Sequence, residues 1–104
     1  MTTATILAER ASRGAAHMDE YLPGWWRDVD VPRLDMGSHL LDVIGQNYSS
    51  WPQGFRELDL DLNDGGVKAV GLGFFLGINA KAYPQLTEAW VREIQKRRED
   101  VGYA

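Results

Sequence analysis

Ser38, His39 and Asp42 come closest, in type and spacing, to a chemical device in this 104-residue chain. Helical positions three apart share a face, so His39 and Asp42 could pair as a base and its orienting carboxylate, or reach one metal ion together. Two ligands do not make a site, and His17, the other histidine, or Asp35 would have to add to them. Ser38 has a competing task, because a serine before an apolar run accepts a backbone N–H and starts a helix. The plainer expectation is a partly exposed histidine beside a carboxylate, with no catalytic set, no metal and no cofactor.

Other motifs fall short of their chemistry. Gly71-Leu72-Gly73-Phe74-Phe75-Leu76-Gly77 has glycines at GxGxxxG spacing, not the GxGxxG of a dinucleotide loop, and two bulky rings stand where backbone must meet pyrophosphate. Asp59-x-Asp61-x-Asn63 begins like a calcium loop, but the turn glycine is Asp64 and the bidentate glutamate is Val70, which leaves a solvated acidic turn. Arg92, Lys96, Arg97 and Arg98, with Lys81 upstream, could contact phosphate. Glu88, Glu93, Glu99 and Asp100 are interleaved with them, as on an ordinary solvated helix face.

The elements that must position these residues belong to a single small domain, residues 1–104, with 44% apolar and 25% charged residues. There is no cysteine, which excludes disulfides, thiolate nucleophiles and zinc fingers. The net charge of -4 argues against general nucleic-acid binding. No apolar run is long enough to span a membrane, and the absence of a signal-peptide pattern makes the cytoplasm the expected address.

Helical spacing of Leu7, Ala11, Ala15, Met18 and Leu22 predicts a helix over 3–22, capped by Thr2 or Thr3 and ended by Pro23-Gly24. Its small residues would let another helix approach. Ser38 predicts a second helix over 39–48 with Leu40, Ile44 and Tyr48 on one apolar edge. Ser50 and Pro52 predict a third over 51–58. Residues 67–72 read equally as helix or strand, Phe74-Phe75-Leu76 as buried, and Asn79 as a cap before a last helix over 83–99 whose core face is Leu86, Trp90 and Ile94. The fold class is mostly α: a bundle of four or five helices with short extended connections.

Four tryptophans are many for this length. Trp90 belongs to the core face of the last helix. Trp25 and Trp26 follow a Pro-Gly stop, and consecutive side chains diverge in either regular conformation, so one ring is expected to stay partly exposed. Such a ring would anchor a partner.

Several segments, in order and spacing, resemble a group of small uncharacterised proteins encoded by actinobacteria and their phages. They are Arg13-Gly14-Ala15-Ala16 through Asp19-Glu20, Pro23-Gly24-Trp25, Leu34-Asp35, Val43-Ile44-Gly45-Gln46, Gly73-Phe74, and Tyr83-x-x-Leu86-Thr87-x-Ala89-Trp90 with Glu93-Ile94. Many members of that group carry Cys-x-x-Cys where His39 and Asp42 stand here, so thiolate chemistry is absent from this chain. Whether His and Asp replace a metal site or only pack stays open. The resemblance implies a phage or prophage origin and a helical domain, and it implies no activity.

The functional expectation is therefore a non-enzymatic accessory protein of phage type that binds a host or phage protein, or itself, through Trp25, Trp26, Arg27 and Trp51. One alternative is a small metal- or ligand-binding protein or enzyme centred on His39 and Asp42, with His17 as a third group. The other is nucleic-acid contact through the basic end of the last helix.

Overall fold

The computed structural model describes residues 2–60, 64, 66–76 and 80–102. Among them are five α-helices and no strand: α1 (Thr3–Tyr21), α2 (Val43–Asn47), α3 (Trp51–Glu57), α4 (Val67–Gly71) and α5 (Tyr83–Asp100). Single 3₁₀ turns lie at Val31–Arg33 and Ala80–Ala82. The mostly α expectation holds, and residues 67–71 take the helical alternative. The expected cap at Asn79, and Asp61 and Asn63 of the acidic turn, lie outside the described residues.

The Thr2 side chain starts α1 by accepting from the Thr5 N–H at 3.1 Å. Leu7, Ala11, Ala15 and Met18 are buried along one stripe, as the spacing predicts. That stripe packs on α5, whose Leu86, Trp90 and Ile94 are fully enclosed. Contacts ascend together along the two helices. Thr3 lines a surface recess with Lys81, Ala82 and Pro84, Gly14 faces the Trp90 ring, and Asp19 meets Arg97. α1 and α5 therefore run in the same direction. Segment 22–82 returns the chain from the end of one to the start of the other and covers the shared core on the way.

The small residues of α1 admit α5, as expected, and beside it a turn of backbone. A Cβ on Gly14 would overlap the Leu72 carbonyl oxygen and lie 2.8 Å from the Trp90 ring. Gly73, at φ +75°, sits against the α1 backbone at Arg10 and Ala11. Its carbonyl accepts from Trp90 Nε1 at 2.7 Å, so the deepest indole is satisfied by the turn that closes over it. Phe74 stacks on the same ring, centroid to centroid 5.5 Å, and Trp25 meets it edge-on at 5.6 Å.

The second helix departs from expectation. It begins at Val43, not His39, and its cap is Asp42, not Ser38. The backbone of Asp42 is extended, so residues 38–41 form a separate turn in which the Leu41 and Asp42 N–H groups both bond to the Ser38 carbonyl. A carboxylate caps at least as well as a serine hydroxyl, and Asp42 stands directly before the apolar pair Val43-Ile44. The consequence is that Leu40 leaves the predicted apolar edge and is 81% exposed.

Candidate functional site

Asp42 is 1% exposed, yet it forms no ion pair among the described residues. Its Oδ1 accepts from the Gly45 N–H at 2.6 Å, which is the cap that starts α2. Ser50 accepts from the Gln53 N–H and starts α3, and this places Trp51 so that its indole N–H reaches both Asp42 oxygens, at 2.9 and 3.2 Å. One buried carboxylate thus ties the starts of two short helices together. Burial pushes its pKa up to about 7 and Asp35 adds to the rise, while the N–H groups of Gly45, Trp51 and Ile44 oppose it.

His39 is exposed and lies against the Trp51 ring, with centroids 4.4 Å apart and planes at 40°. It makes no hydrogen bond to Asp42 among the described residues, because the Trp51 indole takes that place. His17 lies on α1 against the Tyr21 ring, with Nε2 2.5 Å from the Leu58 carbonyl oxygen. His17, His39 and Asp42 are not brought together. No group of three His, Asp or Glu among the described residues could hold a metal ion.

The expected exposed indole at Trp25 or Trp26 is corrected by the structure: Trp25 is 2% and Trp26 7% exposed. The chain at 22–28 is a turn, with the Trp25 N–H bonded to the Leu22 carbonyl and the Arg27 N–H to that of Gly24. Their divergence therefore leads each ring to different cover. Trp25 lies on Trp90 with its Nε1 donating to Asp19 at 3.0 Å. Trp26 lies beneath the Arg27 guanidinium, 4.6 Å from the ring centroid, and its carbonyl accepts from Arg98. Of the four proposed anchors, Trp25 and Trp26 belong to the core, Arg27 covers one of them, and Trp51 alone remains a half-buried aromatic.

The basic end of α5 is also engaged. Arg92 pairs with Glu88 at 2.7 Å and Lys96 with Glu93 at 3.1 Å. Arg97 grips Asp19 through two nitrogens and Glu93 through a third. Arg98 reaches the carbonyls of Trp26 and Val29.

What the structure assembles instead is a row of rings. His39 lies on Trp51, and Trp51 meets Phe75 at 5.8 Å. Phe75 closes over Gly66, where a Cβ would fall 2.7 Å from its ring. The chain neighbours of the two ends, Leu40 and Val67, are 81% and 71% exposed. Leu40, Val67 and the half-buried Phe75 were missed by sequence pattern. The available signal was Asp42 as a second cap candidate four residues after Ser38, which would have freed Leu40 from the helix.

Comparison with protein-family models gives no match for this chain. Comparisons with curated proteins and with solved structures find no match either. No helix among the described residues is long and apolar enough to cross a membrane.

Proposed function

We propose that this protein acts by binding another protein, without chemistry of its own, through the face that carries Trp51. The observation that supports this reading is the exposure of Leu40, next in the chain to His39, and of Val67, next to the Gly66 over which Phe75 closes. Single exposed apolar residues are common; large ones exposed close in the chain to partly exposed rings are the material of which interaction patches are made. Tryptophan at the centre of such a patch is a preferred anchor. The resemblance to actinobacterial and phage proteins favours an accessory role of phage type, with a host protein as the partner. The test is Leu40→Ser and Val67→Ser, each assayed by cross-linking in host lysate and by light scattering. Loss of a specific cross-linked species at unchanged thermal midpoint is the expected result. Undiminished association of both variants overturns the reading.

A second reading, ligand binding at His39 and Asp42, draws on the Asp42 carboxyl lifted to about 7, since shifted groups cluster at functional sites. It calls for a concavity there. The recesses between α1 and α5 and beside their first residues are lined by neither residue. Metal analysis of protein purified without an affinity tag tests it: stoichiometric zinc or iron lost on His39→Ala would revive it.

A further inference from the structure

His39, Leu40 and Trp51 lie in the acidic part of the chain, whereas Val67 and Phe75 lie in the other part. Residues 1–64 carry five Lys or Arg against eleven Asp or Glu, a net of -6, and residues 65–104 carry six against four, a net of +2. The hydrogen bonds show where two of those acids stand. The Asp35 N–H bonds to the Leu41 carbonyl at 3.2 Å. Gln46 Nε2 donates to the Leu41 carbonyl at 2.9 Å and to that of Asp30 at 3.3 Å, while its Oε1 accepts from the Asp30 N–H at 2.7 Å. Asp30 and Asp35 are thereby fixed beside the 38–41 turn that presents Leu40. Both side chains are exposed, and neither forms an ion pair among the described residues. At the other end Asp64, also exposed, accepts from the Gly66 and Lys68 N–H groups next to Val67. Arg33 is the one Lys or Arg between positions 28 and 55; at the other end Lys68, which donates to the Asp59 carbonyl at 3.1 Å, offsets the charge of Asp64.

From this arrangement we infer that the partner at the Trp51 face is a cationic protein segment, with Lys or Arg flanking an apolar or aromatic side chain that seats beside Leu40 and Trp51. This inference rests on the proposed binding function and adds the chemistry of the occupant. An apolar anchor supplies affinity at the centre, and opposite charge at the rim supplies orientation and rate of encounter. A second copy of the chain is a poor occupant. Face to face, it would set acids against acids. Its own basic surface on α5 is already matched by Glu88, Glu93 and Asp19.

The probe is a library of random 16-residue peptides displayed against the folded protein, at low and at moderate salt. Enriched peptides are expected to be net positive with a Leu, Phe, Trp or Met, and to bind roughly tenfold more weakly to Leu40→Ser. The doubly neutralised Asp30→Asn, Asp35→Asn protein should bind them about fivefold more weakly and with a shallower salt dependence. Enriched peptides that are neutral or acidic, yet still lost on Leu40→Ser, overturn the cationic partner and leave the binding face standing. Peptides that bind Leu40→Ser undiminished, or a library that yields no Leu40-dependent binder, overturn the face itself. Self-association abolished by Leu40→Ser would put a second copy in the partner's place.

Discussion

Trp90 Nε1 donates to the Gly73 carbonyl at 2.7 Å across a wholly buried contact, joining α5 to the turn that follows α4. This bond fixes the turn against α1 while the ring fills the core. Trp90→Phe keeps most of the ring area but removes the donor and leaves a void. A cost of about 2–4 kcal/mol is expected from the unsatisfied carbonyl plus the lost packing. Urea unfolding measures it, and an unchanged midpoint would show that the bond carries no weight.

Gly14→Ala and Gly71→Ala should move stability in opposite directions. In an open helix the exchange gains up to about 1 kcal/mol. At Gly14 the added methyl overlaps the Leu72 carbonyl and presses on Trp90, so overpacking of about 1–3 kcal/mol or more outweighs the helical gain. At Gly71 nothing lies within 4 Å of the new Cβ, so the gain survives. Thermal midpoints of the two variants decide the matter by sign.

Asp42 gives the protein a component of stability that grows as pH falls. Its folded pKa of about 7 lies above the ordinary carboxyl value of 3.8. Between those values the folded state holds a proton that the unfolded state has released. The contribution is therefore fully present below the lower value and is lost as pH rises toward 7, at roughly 1.4 kcal/mol per unit. Asp42→Asn keeps an acceptor for Gly45 and Trp51 without the buried charge. It should raise the denaturation midpoint at pH 8 and flatten the profile between pH 5 and 7. A variant that follows the wild-type profile would assign the slope to other groups.

Leu40 and Trp25 should separate association from folding. Leu40→Ser alters an exposed side chain, so its stability should stay within about 0.5 kcal/mol of wild type while partner binding falls. Trp25→Ala removes an enclosed ring that packs on Trp90 and should cost about 3–5 kcal/mol. Calorimetry on both, beside a binding assay, distinguishes the two roles.

Arg97 is held by Asp19 in a two-nitrogen grip and by Glu93 through the remaining nitrogen. Asp19 also accepts from Trp25 Nε1. A lysine cannot reproduce the fork, so Arg97→Lys should lose about 1–2 kcal/mol in a urea titration despite keeping the charge. Full retention of stability by lysine would reduce the contact to simple charge neutralisation.

The long helices were legible because their patterns were long. The small-residue stripe of α1 and the Leu86–Trp90–Ile94 face of α5 repeat over several turns, and capping at Thr2 and Ser50 was local chemistry. The second helix was not legible, since Ser38 and Asp42 are both sound caps and only the tertiary position of Trp51 favours the latter. Trp25 and Trp26 failed for a different reason. Diverging rings cannot share one core surface, but a turn wrapped by α5 and by Arg27 offers cover on two sides. Of the candidate site, Trp51 was visible as an aromatic surplus. Its hydrogen bond to Asp42 and the exposure of Val67 depend on contacts between elements that no spacing encodes, while the exposure of Leu40 follows from the choice of Asp42 as cap.

The shared direction of α1 and α5 has a kinetic meaning. Helices joined by a short loop pair locally and early, but these two meet only after about sixty residues have been threaded between them. Closing so long a loop costs entropy before its packing is gained. Folding should therefore be slow for an all-helical chain of this length, closer to mixed α/β domains than to up-and-down bundles. During synthesis, the stripe of α1 must wait without its principal partner until the far end of α5 has emerged.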